Sequence, residues 1–313
     1  MAIRGFRFGL DVGDNVGRDE FVELVRRADS SGFSVVTGPD HVGSRLAAVL
    51  PMLSVAAEVS PRIRVSPMVL ANDFRHPVVL AKDTATMDIL SEGRLELAIG
   101  TGWIKHQYEA AGVRYDPPGI RVDRFEEAIT VIKGCWSGEP FSFEGDHYHV
   151  AEITCPRPFQ RPHPPILIAG GGPRMLKIAG READIVSIAP LTPGSATFDR
   201  FGHDLANSGD RVAGQVEWIR QGAGPRFDGI ELSVIAHHVT VTENADQVRE
   251  ELAAQTRTTP DEVADSPHVL IGPTSAIVET LLDRRERHGI SYIIFDSADL
   301  DAVAPIVDRL VGQ

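Results

Sequence analysis

Four short stretches carry residue types that do chemistry, and each closes a run of strand-forming residues. Asp40–His41 follows Ser34–Thr37 (SVVT) and a Gly38–Pro39 stop. A histidine there takes or gives a proton near neutral pH, and a neighbouring carboxylate binds the polar groups of a ring or a ribityl chain. The plainer reading is a helix-entry aspartate beside a structural histidine. Gly100–Thr101–Gly102 follows Arg94–Ile99; its backbone amides can meet a cofactor edge with the Thr101 hydroxyl helping, or simply make a tight turn. Gly170–Gly171–Gly172 follows Ile166–Ala169 and precedes a helix. Its N–H groups add to the roughly half positive charge of a helix N-terminus, which suits a phosphate, with Arg174 placed to assist. Met68–Val69 is apolar and reads first as core. It does more only if the backbone bulges against a flat ring, and Pro67 before it does suggest an interruption of regular pairing.

Other candidates are weaker. His106, Tyr108 and Glu109 lie in Ile104–Gly119, a polar excursion too long for a tight strand-to-helix loop. They either line a substrate pocket or, more plainly, face solvent. Lys177 and Arg181 share a face with Arg174 and read as a solvated surface. His237–His238 sits in a strand, so its side chains face opposite ways. His147 and His149 share a hairpin face with no completing ligand, so no metal site is expected. There is no G-x-S-x-G and no nucleophile beside a base, which argues against a hydrolase.

The elements that must position these residues centre on Ile63–Trp103. Ile63–Leu70 is a buried strand, NDFRHP a polar turn, and Pro77 the opening of a helix over Val78–Leu90 that stops at Ser91–Glu92–Gly93. Arg94–Gly100 is a second buried strand running into Thr101–Gly102–Trp103. Before this unit come a strand at Phe6–Val12, a helix at Asp19–Ser31, a strand at Ser34–Thr37 and a helix at Arg45–Val59 with Ser44 as its N-cap. After it come a helix at Arg121–Trp136, a hairpin at Phe141–Val150, strands at Ile166–Ala169 and Asp184–Ala189, and a helix around Val212–Gln221. A strand at Glu231–Val241 and helices at Asp246–Thr256 and Thr274–His288 follow, then the strand Ser291–Phe295 and the helix Leu300–Leu310. Strands and helices alternating eight times predict a single (β/α)₈ TIM barrel over residues 1–313. Its insertions follow strands four (Ile104–Gly119) and six (Leu191–Gly229), and in a parallel barrel ligands sit at the carboxyl ends of the strands. The runner-up, an open doubly wound sheet, needs G-x-G-x-x-G in its first turn, where Gly9, Gly13 and Gly17 are spaced too widely.

Composition narrows the class. A chain of 313 residues that is 42% hydrophobic and 24% charged buries a sizeable core. Its net charge of −13 argues against nucleic acid as a main partner. Apolar runs are strand-length, so no membrane span is expected, and the two cysteines, Cys135 and Cys155, read as reduced thiols of a cytoplasmic protein.

Taken together these segments resemble the bacterial luciferase-like superfamily of flavin- and deazaflavin-dependent oxidoreductases. The resemblance rests on SVVTGPDHV, the FRHP…LSEGRLELAIGTGW block, RVDRFEEAITVIKGCWSGEPFSFEGDHYHV and PPILIAGGGPRMLKIAGREADIV. It extends to the branch that uses coenzyme F420, with reduced FMN as the alternative cofactor and a monooxygenase as the alternative enzyme. It implies a barrel with a cofactor ring across its mouth and a non-prolyl cis peptide at Met68–Val69 behind that ring. Asp40 and His41 would be the cofactor- and substrate-side pair, Thr101 and Gly102 ring-edge contacts, and Gly170–Gly172 the phosphate turn. Sugar-phosphate dehydrogenases of the group carry a glutamate after the GTG turn. Here Trp103 stands there, which points to a hydrophobic or cyclic organic substrate. His41 and Trp103 are therefore the expected catalytic pair, and the family also implies a homodimer.

Overall fold

The computed structural model describes residues 4–13, 17–190 and 209–313. It divides into two compact units: Val12–Arg26 with Val35–Leu167, and Met1–Asp11 with Arg27–Ser34 and Ile168–Gln313.

In the first unit, strand Val35–Gly38 pairs in parallel with Arg64–Pro67, from Val35 opposite Arg64 to Gly38 opposite Pro67. The third strand then breaks. Met68 N–H donates to the Gly38 carbonyl at 2.7 Å, the Met68–Val69 peptide is cis, and Leu70–Ala71 pairs onward with Ile99 and Gly100. One strand thus serves two neighbours, with Val65 also bonded to the Arg94 carbonyl and the Glu96 N–H on the strand-four side, and the interruption read from Pro67 falls one residue later. Pro77 opens the next helix as expected, over Pro77–Leu90. Trp136, fully buried, donates its indole N–H to the Ala81 carbonyl of that helix at 3.0 Å. The expected hairpin forms between Phe141–Glu144 and His149–Ile153, and the Glu127 carboxylate accepts the N–H groups of Asp146, His147 and Tyr148 in its turn.

In the second unit, Arg7–Asp11 pairs in parallel with Ile290–Asp296, which pairs with Glu231–Ile235, which pairs with Ile185–Ile188. Phe6, Phe8 and Phe295 stack at 6.0 and 5.9 Å beneath this sheet, and Phe33 meets Phe295 edge-on. Helices Pro173–Glu182, Gly209–Ala223, Thr274–His288 and Leu300–Leu310 supply the rest of its core.

Three sequence expectations change. Ser44 caps no helix: its hydroxyl donates to the His41 carbonyl at 2.7 Å and accepts from Leu46 N–H, and the helix begins at Val49 with Ala48 before it. The seventh strand is two strands. Glu231–Ile235 stays in the main sheet, while His238–Val241 leaves it to pair with Val269–Gly272. The Ile104–Gly119 stretch holds a helix, Lys105–Ala111, closed by Gly112. Of the second insertion, 191–208 lies outside the described residues, and the helix expected around Val212 runs over Gly209–Ala223. No described helix is long and apolar enough to cross a membrane.

Two predictions follow from these contacts. Arg94 donates to the carbonyls of Ala57, Ser60 and Ile63 at 2.8, 2.6 and 2.9 Å, placing a cation on the open C-terminal carbonyls of helix Val49–Val59. Arg94→Ala should lower the free energy of urea unfolding by about 2 kcal/mol. Burial, with Cys155 alongside, pushes the Cys135 thiol up to about 12. The reactive thiolate is therefore scarce in the folded protein. Ellman's reagent near neutral pH should find no reactive thiol until denaturant exposes both buried cysteines.

Candidate functional site

The carboxyl ends of strands two, three and four gather most of the residues singled out by sequence. Asp40 and His41 leave Val35–Gly38, Met68–Val69 interrupts strand three, and Thr101–Gly102–Trp103 leaves Leu97–Gly100. All belong to the first unit.

Asp40 has partners within the protein. Its carboxylate accepts both terminal nitrogens of Arg75 at 2.6 and 2.8 Å and the Ala71 N–H at 3.1 Å, with its side chain only 6% exposed. A bidentate arginine pair of this kind is directional as well as strong. It ties the end of strand two to the residues just beyond Met68–Val69.

His41 is half-buried, with its backbone carbonyl held by Ser44. Its Nδ1 faces the side-chain amide of Gln107, whose Nε2 lies 3.1 Å away and Oε1 3.4 Å away. Gln107 is buried on helix Lys105–Ala111. The ring's other nitrogen, Nε2, makes no hydrogen bond among the described residues.

The glycine turn is built from beneath. Arg121, buried on helix Pro118–Cys135, donates to the carbonyls of Thr101 and Gly102. It also reaches the Asp116 carbonyl at 3.0 Å and the Tyr115 hydroxyl at 3.2 Å, its guanidinium 4.4 Å from the Tyr115 ring. In a trans peptide the N–H points opposite the C=O. Arg121 therefore turns the N–H groups of Gly102 and Trp103 to the other side, and that of Gly102 has no partner among the described residues. Gly102 adopts φ +72°, and a Cβ there would fall 2.0 Å from the Tyr108 hydroxyl. Tyr108 donates to the Thr101 carbonyl at 3.1 Å, with Asp73 at 3.3 Å. Burial first and the Asp73 carboxylate second hold its phenol far above the ordinary tyrosine range. Asp73 is gripped by Arg124 at 2.8 and 3.1 Å, and Arg124 also holds Asp116 at 3.0 Å. Burial opposes the charge on Arg124, but its bonds to Asp73 and Asp116 outweigh that and raise its pKa.

Beside this framework Trp103 is 45% exposed, its backbone carbonyl accepting from the Tyr115 hydroxyl at 3.0 Å. Of the loop residues, His106 and Glu109 are exposed, whereas Tyr108 is 1% exposed and structural, not a pocket wall in solvent.

Gly170–Gly171–Gly172 belongs to the second unit and stands at the N-terminus of helix Pro173–Glu182, with no side-chain cap. Gln215, fully buried, donates to the carbonyls of Gly171 and Ala189 at 3.0 and 2.9 Å. Pinning the Gly171 carbonyl turns the Gly172 N–H the opposite way. A Cβ on Gly171 would fall 2.8 Å from the Ala189 carbonyl and 2.7 Å from that of Pro190. Arg174 is exposed at the first turn of the helix. Among the described residues no three His, Cys, Asp or Glu side chains gather as a metal site.

Sequence reading passed over Arg75, Asp73, Gln107, Arg121, Arg124 and Gln215. One signal was available: Arg121 and Arg124 stand three apart beside the buried Phe125 and Ala128 of one helix. Cations placed next to an apolar face need partners.

The sequence profile described as luciferase-like monooxygenase matches residues 5–290. The chain belongs to that family. This luciferase-like chain is 31% identical over 180 residues to the F420-dependent glucose-6-phosphate dehydrogenase of Amycolatopsis mediterranei, covering 55% of this chain and 53% of that one. It is 30% identical over 194 residues to the oxygenase component of the flavin-dependent trigonelline monooxygenase of Acinetobacter baylyi, covering 59% and 52%. The chain thus spans about half the length of the curated relatives it matches. The coenzyme F420 dependent tetrahydromethanopterin reductase of Methanopyrus kandleri superposes with a TM-score of 0.77 at 18% identity, covering 98% of both chains. A long-chain alkane monooxygenase gives 0.75 at 13% identity, covering 98% and 91%. These likenesses show the fold, the luciferase-like (β/α)₈ barrel expected from sequence, and set aside the open doubly wound sheet.

Gly102→Ala should destabilise the protein by ~2 kcal/mol or more, since it forces a Cβ into a left-handed position against Tyr108. Adding Tyr108→Phe should restore only part of that loss in chemical denaturation, because the backbone strain remains.

Proposed function

We propose that this chain is an oxidoreductase that uses coenzyme F420 to move a hydride to or from a small hydrophobic or cyclic organic substrate. The observation that carries the reading is His41, half-buried at the end of strand two, with one ring nitrogen held and the other without a partner among the described residues; Trp103, 45% exposed, stands at the end of strand four. Such a pair offers one proton-bearing contact and one apolar wall, which suits an organic molecule with a single polar group. Seven relatives at 30–35% identity, including those of Microbacterium testaceum and Kribbella flavida, are F420-dependent glucose-6-phosphate dehydrogenases, which supports the cofactor. Trp103 in place of a carboxylate after the GTG turn favours a substrate other than a sugar phosphate.

The residues fit a flat heterocycle. Gly102 turns an N–H out with no side chain above it, and Met68–Val69 presents an apolar backing in which Val69 is half-exposed. Thr101 adds its hydroxyl at the same edge, with Asp40 holding the Val69–Ala71 side in place. In the second unit, the Gly170–Gly171–Gly172 turn and Arg174 would hold a phosphate. A deazaflavin, when bound, supplies a two-electron hydride donor or acceptor that reacts poorly with oxygen. The protein's own part is to orient the substrate against Trp103, exclude water, and meet its polar atom with His41 Nε2.

The second reading is a monooxygenase using reduced FMN, favoured by the comparable identity to the trigonelline monooxygenase component. The proposal also takes the enzyme as a cytoplasmic homodimer without nucleic-acid or membrane partners. Anaerobic titration of the purified protein with each reduced cofactor separates the readings. Tight binding of the deazaflavin and weak binding of FMN is expected, and the reverse would overturn the assignment. His41→Ala should leave deazaflavin binding within about threefold while lowering kcat on any accepted substrate by 10²–10⁴-fold, the usual worth of a positioned proton-transfer group.

A further inference from the structure

We infer that Gln107 is a positioning residue that holds His41 in the tautomer with its proton on Nε2, so that the substrate presents a hydrogen-bond acceptor, a carbonyl-type oxygen, to that nitrogen. The inference rests on the reading that His41 meets the substrate.

The geometry begins with how firmly Gln107 is placed. Its backbone N–H donates to the Ile104 carbonyl at 3.0 Å in the first turn of helix Lys105–Ala111. The next residue, Tyr108, is fixed by the Thr101 carbonyl and Asp73. Gln107 is 9% exposed, and among the described residues its side-chain amide finds one hydrogen-bond partner, His41 Nδ1. The amide nitrogen is the nearer atom, 3.1 Å against 3.4 Å for the oxygen. An N–H donated into Nδ1 needs a lone pair there, so the single proton of the neutral ring sits on Nε2.

That assignment decides what the outer nitrogen can do. Nε2–H donates and does not accept. A hydroxyl being oxidised would need the opposite ring, with Nε2 bare as a base and Nδ1–H given to an acceptor. An oxygen that gains negative charge as hydride reaches its carbon needs the donor that this ring offers. A neutral imidazole serves in that way in triosephosphate isomerase, where it polarises a carbonyl. The residue type matters as much as the position. A carboxylate at 107 could only accept, and would draw the proton to Nδ1. The amide can donate.

The experiment reads the ring directly. Protein labelled with ¹⁵N-histidine, free of cofactor, is examined by long-range ¹H–¹⁵N correlation, with the His41 signals, one set among 11, identified by their loss in His41→Gln. The wild-type His41 should show a bare Nδ1 and a protonated Nε2. Gln107→Leu should release the ring into a mixture of both tautomers, and the near-isosteric Gln107→Glu should move the proton to Nδ1. A wild-type ring protonated on Nδ1, or a tautomer unchanged in both variants, overturns the inference. Failure of the cofactor titration would sink the proposed function and leave this measurement intact, so the two are judged separately.

Discussion

The interaction on which the site depends is the grip of one buried guanidinium on two consecutive backbone carbonyls. Arg121 holds Thr101 and Gly102 from beneath. A strand end left to itself would offer carbonyls and N–H groups in alternating directions. Here two successive peptides are turned the same way, so the N–H groups of Gly102 and Trp103 both point away from Arg121. Arg121 can do this only because its remaining nitrogens are satisfied by Asp116 and Tyr115, and because Arg124 ties Asp116 to Asp73. Buried charge is tolerated where each member has its partners. The lattice of Asp73, Tyr108, Asp116, Arg121 and Arg124 meets that condition on two helices and two turns.

A second constraint acts at strand two. Asp40 spends its carboxylate on Arg75 and on the Ala71 N–H. The residue that sequence placed at the cofactor thus also sets the path of the chain beyond Met68–Val69. Next to it His41 is held through its carbonyl by Ser44 and through its ring by Gln107. Neighbouring residues therefore divide the labour: one fixes backbone, the other keeps a nitrogen available.

Much of this was legible in sequence, for reasons that can be named. The strand runs at Val35–Gly38, Arg64–Pro67 and Leu97–Gly100 and the Pro77 helix start are local signals, and the structure keeps them. The strand-end residues Asp40, His41, Thr101, Gly102 and Trp103 stood out because turn chemistry and position coincide. What escaped were long-range pairings. Arg75 meets Asp40 across 35 positions and Arg124 meets Asp73 across 51, separations that carry no periodicity. Ser44 misled for a related reason. A serine before an apolar stretch has the look of an N-cap, but its hydroxyl was taken by His41, and four residues of turn precede the helix. The run Glu231–Val241 looked continuous because both sheets it serves ask for the same β-branched residues.

The Trp103 backbone is held by Tyr115, and the peptide before it by Arg121. Neither contact involves the indole. Selection could therefore exchange the side chain at this position, for a carboxylate, an aliphatic group or a smaller ring, without disturbing the turn that carries it. A scaffold arranged in this way can change the side chain it presents by altering one letter, while the backbone contacts of Tyr115 and Arg121 stay as they are.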